Sequence, residues 1–138
     1  MVILQTLARW SSRKTVVIPA YTCPLIVFAI IQSRLKLQVC DVSPHSFEFD
    51  PEALAGFCDR DTLAIIPTHA RTCIRFAVAK QCGAYLIEDT AQALGARYQG
   101  KSVGLQGDAG FFSLAAGKGL SIFEGGIWMV QMPSCKRN

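Results

Sequence analysis

Residues 62–89, TLAIIPTHARTCIRFAVAKQCGAYLIED, decide the fold. Thr62 to Ile66 predicts a buried strand, Ile74 to Gln81 a helix, and Ala84-Tyr85-Leu86-Ile87 a further buried strand. Continuous apolar strands joined through a helix are the building unit of a parallel sheet covered on both faces. The same rhythm continues upstream. Val2 to Trp10 is apolar at 3, 4, 7, 8 and 10, the period of an amphipathic helix. Thr15 to Pro19 reads as a strand closed by proline, and Leu25 to Gln32 as a helix with Thr22 as N-cap and Pro24 in its first turn. Leu35 to Cys40 alternates as a strand does, and Asp50-Pro51-Glu52-Ala53-Leu54 carries a cap, an early proline and helix formers. Downstream, Ala109 to Leu114 and Gly126 to Val130 supply two more strands. The expectation is one α/β unit, a mainly parallel sheet with helices on both faces.

Composition agrees with one layered unit. The 138 residues are the length of a single domain, and 51% hydrophobic residues exclude intrinsic disorder. Charged residues make up only 17%, against about 25% in an average soluble domain. That deficit predicts a chain that hides part of its surface against something else. The net charge of +4 comes from basic residues scattered between Arg9 and Arg137, which leaves no footprint for nucleic acid. The apolar run Leu25 to Ile31 falls far short of the roughly 18 residues that span a bilayer. Met1 to Leu4 lacks the basic region and cleavage site of a signal peptide, so a cytoplasmic chain is expected. Six cysteines stand at 23, 40, 58, 73, 82 and 135 with no Cys-x-x-Cys pair, which excludes zinc ribbons and redox motifs and predicts reduced thiols. No metal site is expected.

In such sheets ligands sit beyond the C-terminal ends of the strands. Tyr21 and Thr22 fall there, as do His69, Glu88, Asp89, Ser113 and Lys118. Familiar phosphate motifs fail. Gly117-Lys118 lacks the first P-loop glycine, because Phe112 stands in its place, and Gly119 replaces the hydroxyl residue. Gly117 and Gly119 are followed by Ile122 where a dinucleotide fingerprint needs a third glycine. No Gly-x-Ser-x-Gly or His-Glu-x-x-His occurs.

A different constellation holds. Pro19-Ala20-Tyr21-Thr22, Cys40-Asp41-Val42, Glu88-Asp89-Thr90-Ala91-Gln92, Gly107 through Ser113, Gly117-Lys118-Gly119 and Glu124-Gly125-Gly126 follow one another. In order and spacing this resembles the DegT/DnrJ/EryC1/StrS family from about Val16 to Val130. The resemblance implies a fold type I transferase that uses pyridoxal 5'-phosphate (PLP). Residues 1–138 would be a single partial PLP-binding large domain without the C-terminal small domain, and 131–138 a divergent tail. It also implies an aminotransferase that moves an amino group from an amino acid, such as glutamate, to a keto-sugar nucleotide. Its full-length form would be a homodimer, with small-molecule partners and no nucleic acid or membrane.

The residue types suit that chemistry. A lysine amine holds the cofactor as a Schiff base and later carries a proton, and the resemblance assigns this to Lys118. A carboxylate keeps the pyridine nitrogen protonated, which the resemblance gives to Asp89. Gln92 is matched to the ring near its 3-hydroxyl and Ser113 to the phosphate. Glu88 points the other way from a strand and receives no role. Asp108 and His69 are read as structural, and Gly125-Gly126 as a tight path into the last strand. Three departures stand out. Cys23 occupies the place where the family carries a ring-stacking aromatic. Ala70-Arg71-Thr72-Cys73 replaces a glycine-containing loop. The family's phosphate-holding glycine turn is expected before Met1, so that the chain alone is expected to fall short of a competent transaminase. The rival readings are an inactive truncated remnant or association module of the same fold and, further off, a generic α/β small-molecule binder.

Overall fold

The apolar strands read from the sequence lie at the centre of one sheet. In the computed structural model, which describes residues 2–68 and 74–131, Val16, Val17 and Ile18 are all buried within β1 (Thr15–Pro19). Neighbouring positions face opposite sides, with Val16 and Ile18 in one core cluster and Val17 in the other. A strand covered on both faces has no reason to alternate, which is why this segment reads as a continuous run. The remaining strands are β2 (Lys36–Cys40), β3 (Thr62–Ile65), β4 (Tyr85–Asp89), β5 (Arg97–Tyr98), β6 (Lys101–Ser102), β7 (Ala109–Ser113) and β8 (Gly126–Val130). Six of them form a sheet in the order β2-β1-β3-β4-β7-β8, parallel throughout except for β8, which runs antiparallel to β7.

Among the described residues four helices cover the sheet. On one face lie α1 (Val2–Trp10) and α2 (Pro24–Gln32), which contribute Leu4, Ile26 and Ile30 to the first cluster. On the other lie α3 (Pro51–Phe57) and α4 (Ile74–Cys82), with Leu54, Val78 and Ala79 in the second. Crossover handedness explains the division. The chain leaves β1 outward to β2 through α2, then returns past β1 to β3 through α3, and right-handed connections in opposite directions place their helices on opposite faces. The reversal puts a switch point between β1 and β3, the place where such sheets open a crevice.

The structure follows the predicted elements, with three differences. Thr22 is not the cap of α2. Pro24 sets the first helical position, so Cys23 stands at the N-cap and makes no side-chain cap bond. The expected capping does occur at α3, where Asp50 Oδ1 accepts from the amides of Glu52 (3.1 Å) and Ala53 (2.9 Å). β4 runs two residues further than its apolar stretch and takes in Glu88 and Asp89, both buried. The third difference is the hairpin of β5 and β6, which the sequence reading does not contain. Its turn, Gln99-Gly100, has φ of +50° and +77°, as a two-residue turn between twisted strands requires. Several large apolar side chains stand exposed together on α2 (Leu25, Phe28 and Ile31) and on β8 (Ile127, Trp128 and Val130). Among the described residues no helix is long and apolar enough to cross a membrane.

Candidate active site

A cleft of about 730 Å³ opens at the C-terminal ends of β1, β3, β4 and β7, over the switch point. That volume suits a small organic ligand. Thr22 and Thr68 close its floor between β1 and β3, their hydroxyls 3.3 Å apart. Thr68 also bridges to Asp89 in the neighbouring strand, so this floor continues the sheet past the end of β3.

Asp89 is the last residue of β4 and only 3% exposed. Its carboxylate Oδ1 accepts from the Ala91 amide at 3.0 Å, which fixes the side chain at the cleft wall. Ser113 ends β7, one strand away, and its hydroxyl oxygen accepts from the Ala115 amide at 3.3 Å. Lys118 follows in a turn where its own amide donates to the Ala115 carbonyl at 3.2 Å. That turn is tied to the start of β8. Ala116 donates to the Phe123 carbonyl (3.0 Å), and Leu114 donates to the Gly125 carbonyl (2.9 Å). β8 enters against β7 with almost no clearance. A Cβ on Gly126 would sit 2.7 Å from the Phe112 carbonyl oxygen, so a side chain there would push the two strands apart.

All four residues that the sequence reading singled out, Asp89, Gln92, Ser113 and Lys118, line this one cleft. Among the described lining residues Asp89 is the sole carboxylate and Lys118 the sole amine. Gln92 is exposed at the rim. Cys23 also lines the cleft, where the family pattern led us to look for a ring. Aromatic surface comes instead from Phe111 and Trp128, whose ring centroids are 4.9 Å apart, and from Tyr21, which leans on Phe47 at 5.6 Å. His69 lies outside the described residues.

Two acids act elsewhere. Asp108 precedes β7 at the far end of the sheet, where its Oδ2 accepts from the Leu86 amide at 2.7 Å and starts the β4–β7 ladder. Glu88, fully buried, faces away from Asp89 as the pleat demands. Its Oε2 accepts from the Gly104 amide at 3.1 Å, and its Oε1 from Gln106 (2.6 Å) and Gly107 (2.7 Å). It therefore moulds the loop that feeds β7 and, through it, the position of Ser113. The sequence reading missed this task, as it missed the Thr22–Thr68 pair and Trp128. The one sequence signal for Glu88 was a charge directly after a buried apolar run, and such charges are kept only when fully hydrogen-bonded. Among the described residues no group of three or more His, Cys, Asp or Glu could hold a metal ion.

Comparison with known proteins adds an independent finding. The model of the DegT/DnrJ/EryC1/StrS aminotransferase family matches residues 1–137. Protein MosB of Rhizobium meliloti is 35% identical over 124 residues, 86% of this chain and 24% of that protein. An L-glutamine:2-deoxy-scyllo-inosose aminotransferase of Streptomyces lividus is 39% identical over 92 residues, 63% of this chain and 22% of that protein. The crystal structure of the sugar aminotransferase CalS13 from Micromonospora echinospora superposes with a TM-score of 0.82 at 26% identity, over 92% of this chain and 37% of that one. This chain thus spans about a quarter of the length of the curated relatives it matches.

Proposed function

The chain belongs to the DegT/DnrJ/EryC1/StrS aminotransferase family, and on that premise we propose that its cleft is the PLP site of an aminotransferase acting on a keto-sugar. The observation that carries the reading is convergence. A buried carboxylate and an amide from residues 89–92, and a hydroxyl and an amine from residues 113–118, meet in one cleft over the switch point. That donor set fits the cofactor, which offers a basic ring nitrogen, a carbonyl carbon and a phosphate. When bound, PLP supplies an electron sink for the carbon that loses its proton.

The chain's own residues supply the rest. Asp89 would accept a hydrogen bond from the protonated ring nitrogen, and its burial would strengthen that pairing. Lys118 would hold the cofactor through Nζ, and the same atom would carry a proton when it is free. Ser113 Oγ uses a lone pair on the Ala115 amide, which leaves its hydroxyl proton to donate to a phosphate oxygen. Gln92, at the rim of the cleft, would contact the ring. The amino donor is an α-amino acid of the glutamate class, with glutamine the donor named for the S. lividus relative. The acceptor is a keto-sugar, carried on a nucleotide. Cys23 favours a second reading, a catalytically inactive remnant or association module of the same fold, because a thiol offers a ring far less stacking surface than an aromatic.

The test uses the chain with the family's flanking segments supplied, as the sequence reading requires for turnover, and with added PLP. The expected result is a visible absorption band that borohydride fixes onto Lys118, located by peptide mapping. Lys118→Ala should lose the band and all amino transfer from glutamate or glutamine to a keto-sugar nucleotide panel. Labelling at Lys14, Lys36, Lys80 or Lys101 instead would sink the assignment. A band on Lys118 without amino transfer would favour the second reading.

A further inference from the structure

On the face opposite α1 and α2, α3 and α4 pack side by side, and each ends on a cysteine. Cys58 is the C-cap of α3, and Cys82 is the last residue of α4. Both are half-buried against the cluster that contains Leu54, Val78 and Leu86. Both also line an open cleft of about 590 Å³ that lets solvent reach them. The two thiols thus share one cleft and one patch of core at the packed ends of α3 and α4, and the Cys82 sulfur lies 3.6 Å from the Ala79 carbonyl oxygen. The corner is braced. Arg13, just ahead of β1, donates through one guanidinium nitrogen to the carbonyls of Thr62 (3.3 Å), Cys82 (3.2 Å) and Gly83. Bracing of this kind holds the end of α4 in place while a neighbouring bond is made.

We propose that Cys58 and Cys82 form an oxidisable dithiol, a modification site that closes to an intramolecular disulfide when a two-electron oxidant such as peroxide is present. Hydrogen peroxide first takes two electrons from the Cys82 sulfur, giving a sulfenic acid and water. The Cys58 sulfur then attacks it, the S–S bond forms, and a second water leaves. In sum, two thiols lose two protons and two electrons, and one peroxide becomes two waters. Burial, followed by the neighbouring Cys82, pushes the Cys58 thiol up to about 12. That keeps its thiolate scarce, and what favours its attack on an oxidised Cys82 is proximity, which makes the second step intramolecular. Cys40 shares the cluster but is fully buried, out of reach of an oxidant. The closed bond would span β3 and α4 and withdraw chain entropy from the unfolded state. The site lies at the N-terminal edge of the sheet, away from Lys118, and does not depend on the function proposed above.

The experiment treats the full chain with hydrogen peroxide or diamide and counts thiols after denaturation. A fall from six to four is expected, with a Cys58–Cys82 linked peptide in the non-reducing digest. The melting temperature should rise by about 5–10 °C and return with a reductant. Cys58→Ser and Cys82→Ser should each abolish both changes, whereas Cys23→Ser should keep them. A trivalent arsenical, which bridges paired thiols without oxidation, should add once per chain and be lost in either variant. A Cys40–Cys58 link, a link between chains, or oxidation confined to Cys23 would overturn the proposal.

Discussion

Replacing Glu88 with glutamine tests whether a buried charge sets the loop beneath the active cleft. Glu88 is fully buried, and its two oxygens accept three backbone N–H bonds, two of them 2.6 and 2.7 Å long. Lengths of that order mark bonds to an ionised acceptor. In Glu88→Gln the remaining oxygen can keep the amides of Gln106 and Gly107. The new NH2 group then faces the Gly104 amide, donor against donor. The loss is one charge-assisted bond, about 1.5–3 kcal/mol, plus a stranded buried N–H, about 1–3 kcal/mol. Relief of the cost of burying a carboxylate offsets part of this. A net destabilisation of about 2–3 kcal/mol follows. At this chain length that lowers the melting temperature by about 6–12 °C. Urea unfolding of the two proteins, compared through midpoints at a common m-value, measures it. Glu88→Ala should cost more, because all three amides lose their acceptor. A Glu88→Gln protein within about 0.5 kcal/mol of the parent, the range of neutral surface changes, would refute the account of the loop.

Three further outcomes are expected. In the chain with the family's flanking segments supplied, Asp89→Asn should retain PLP through Lys118 while amino transfer falls by at least about 100-fold, since a neutral amide cannot hold the ring nitrogen protonated; near-normal turnover would count against the pairing. Gly126→Ala should destabilise the chain by about 1–3 kcal/mol, because its Cβ would lie 2.7 Å from the Phe112 carbonyl oxygen, and rapid amide exchange in β8 would report the broken β7–β8 pairing. The alkaline limit of stability should fall to two thiols: burial pushes Cys40 up to about 11 and Cys58 up to about 12, from an ordinary value of 9.0. Their contribution is therefore intact below pH 9 and is lost as pH rises through about 11 to 12, where only the unfolded chain ionises freely. Equal urea midpoints at pH 8 and pH 11 would contradict this.

The residues themselves carry most of the secondary structure and pick out four side chains that line one cleft. Val16 to Ile18 and Leu63 to Ile65 are covered on both faces, so their composition alone marks them as strands. Asp50 and Pro51 announce α3 because cap chemistry is local, acting within three residues. Asp89, Gln92, Ser113 and Lys118 could be picked out because the order of several short motifs survives in the sequence. What tertiary structure alone decided is everything that joins distant segments. The hairpin of β5 and β6 has two-residue strands, too short for any period to register. Thr22 looked like a cap, and only the pairing of β1 beside β3 brings its hydroxyl to Thr68. Glu88 looked idle until the chain folded residues 104–107 over it. The spacing of the cysteines gave no hint that the ends of α3 and α4 meet at Cys58 and Cys82. Periodicity records which face of an element is covered. Which elements become neighbours depends on the direction and hand of each crossover, and that is settled by packing between residues far apart in the chain.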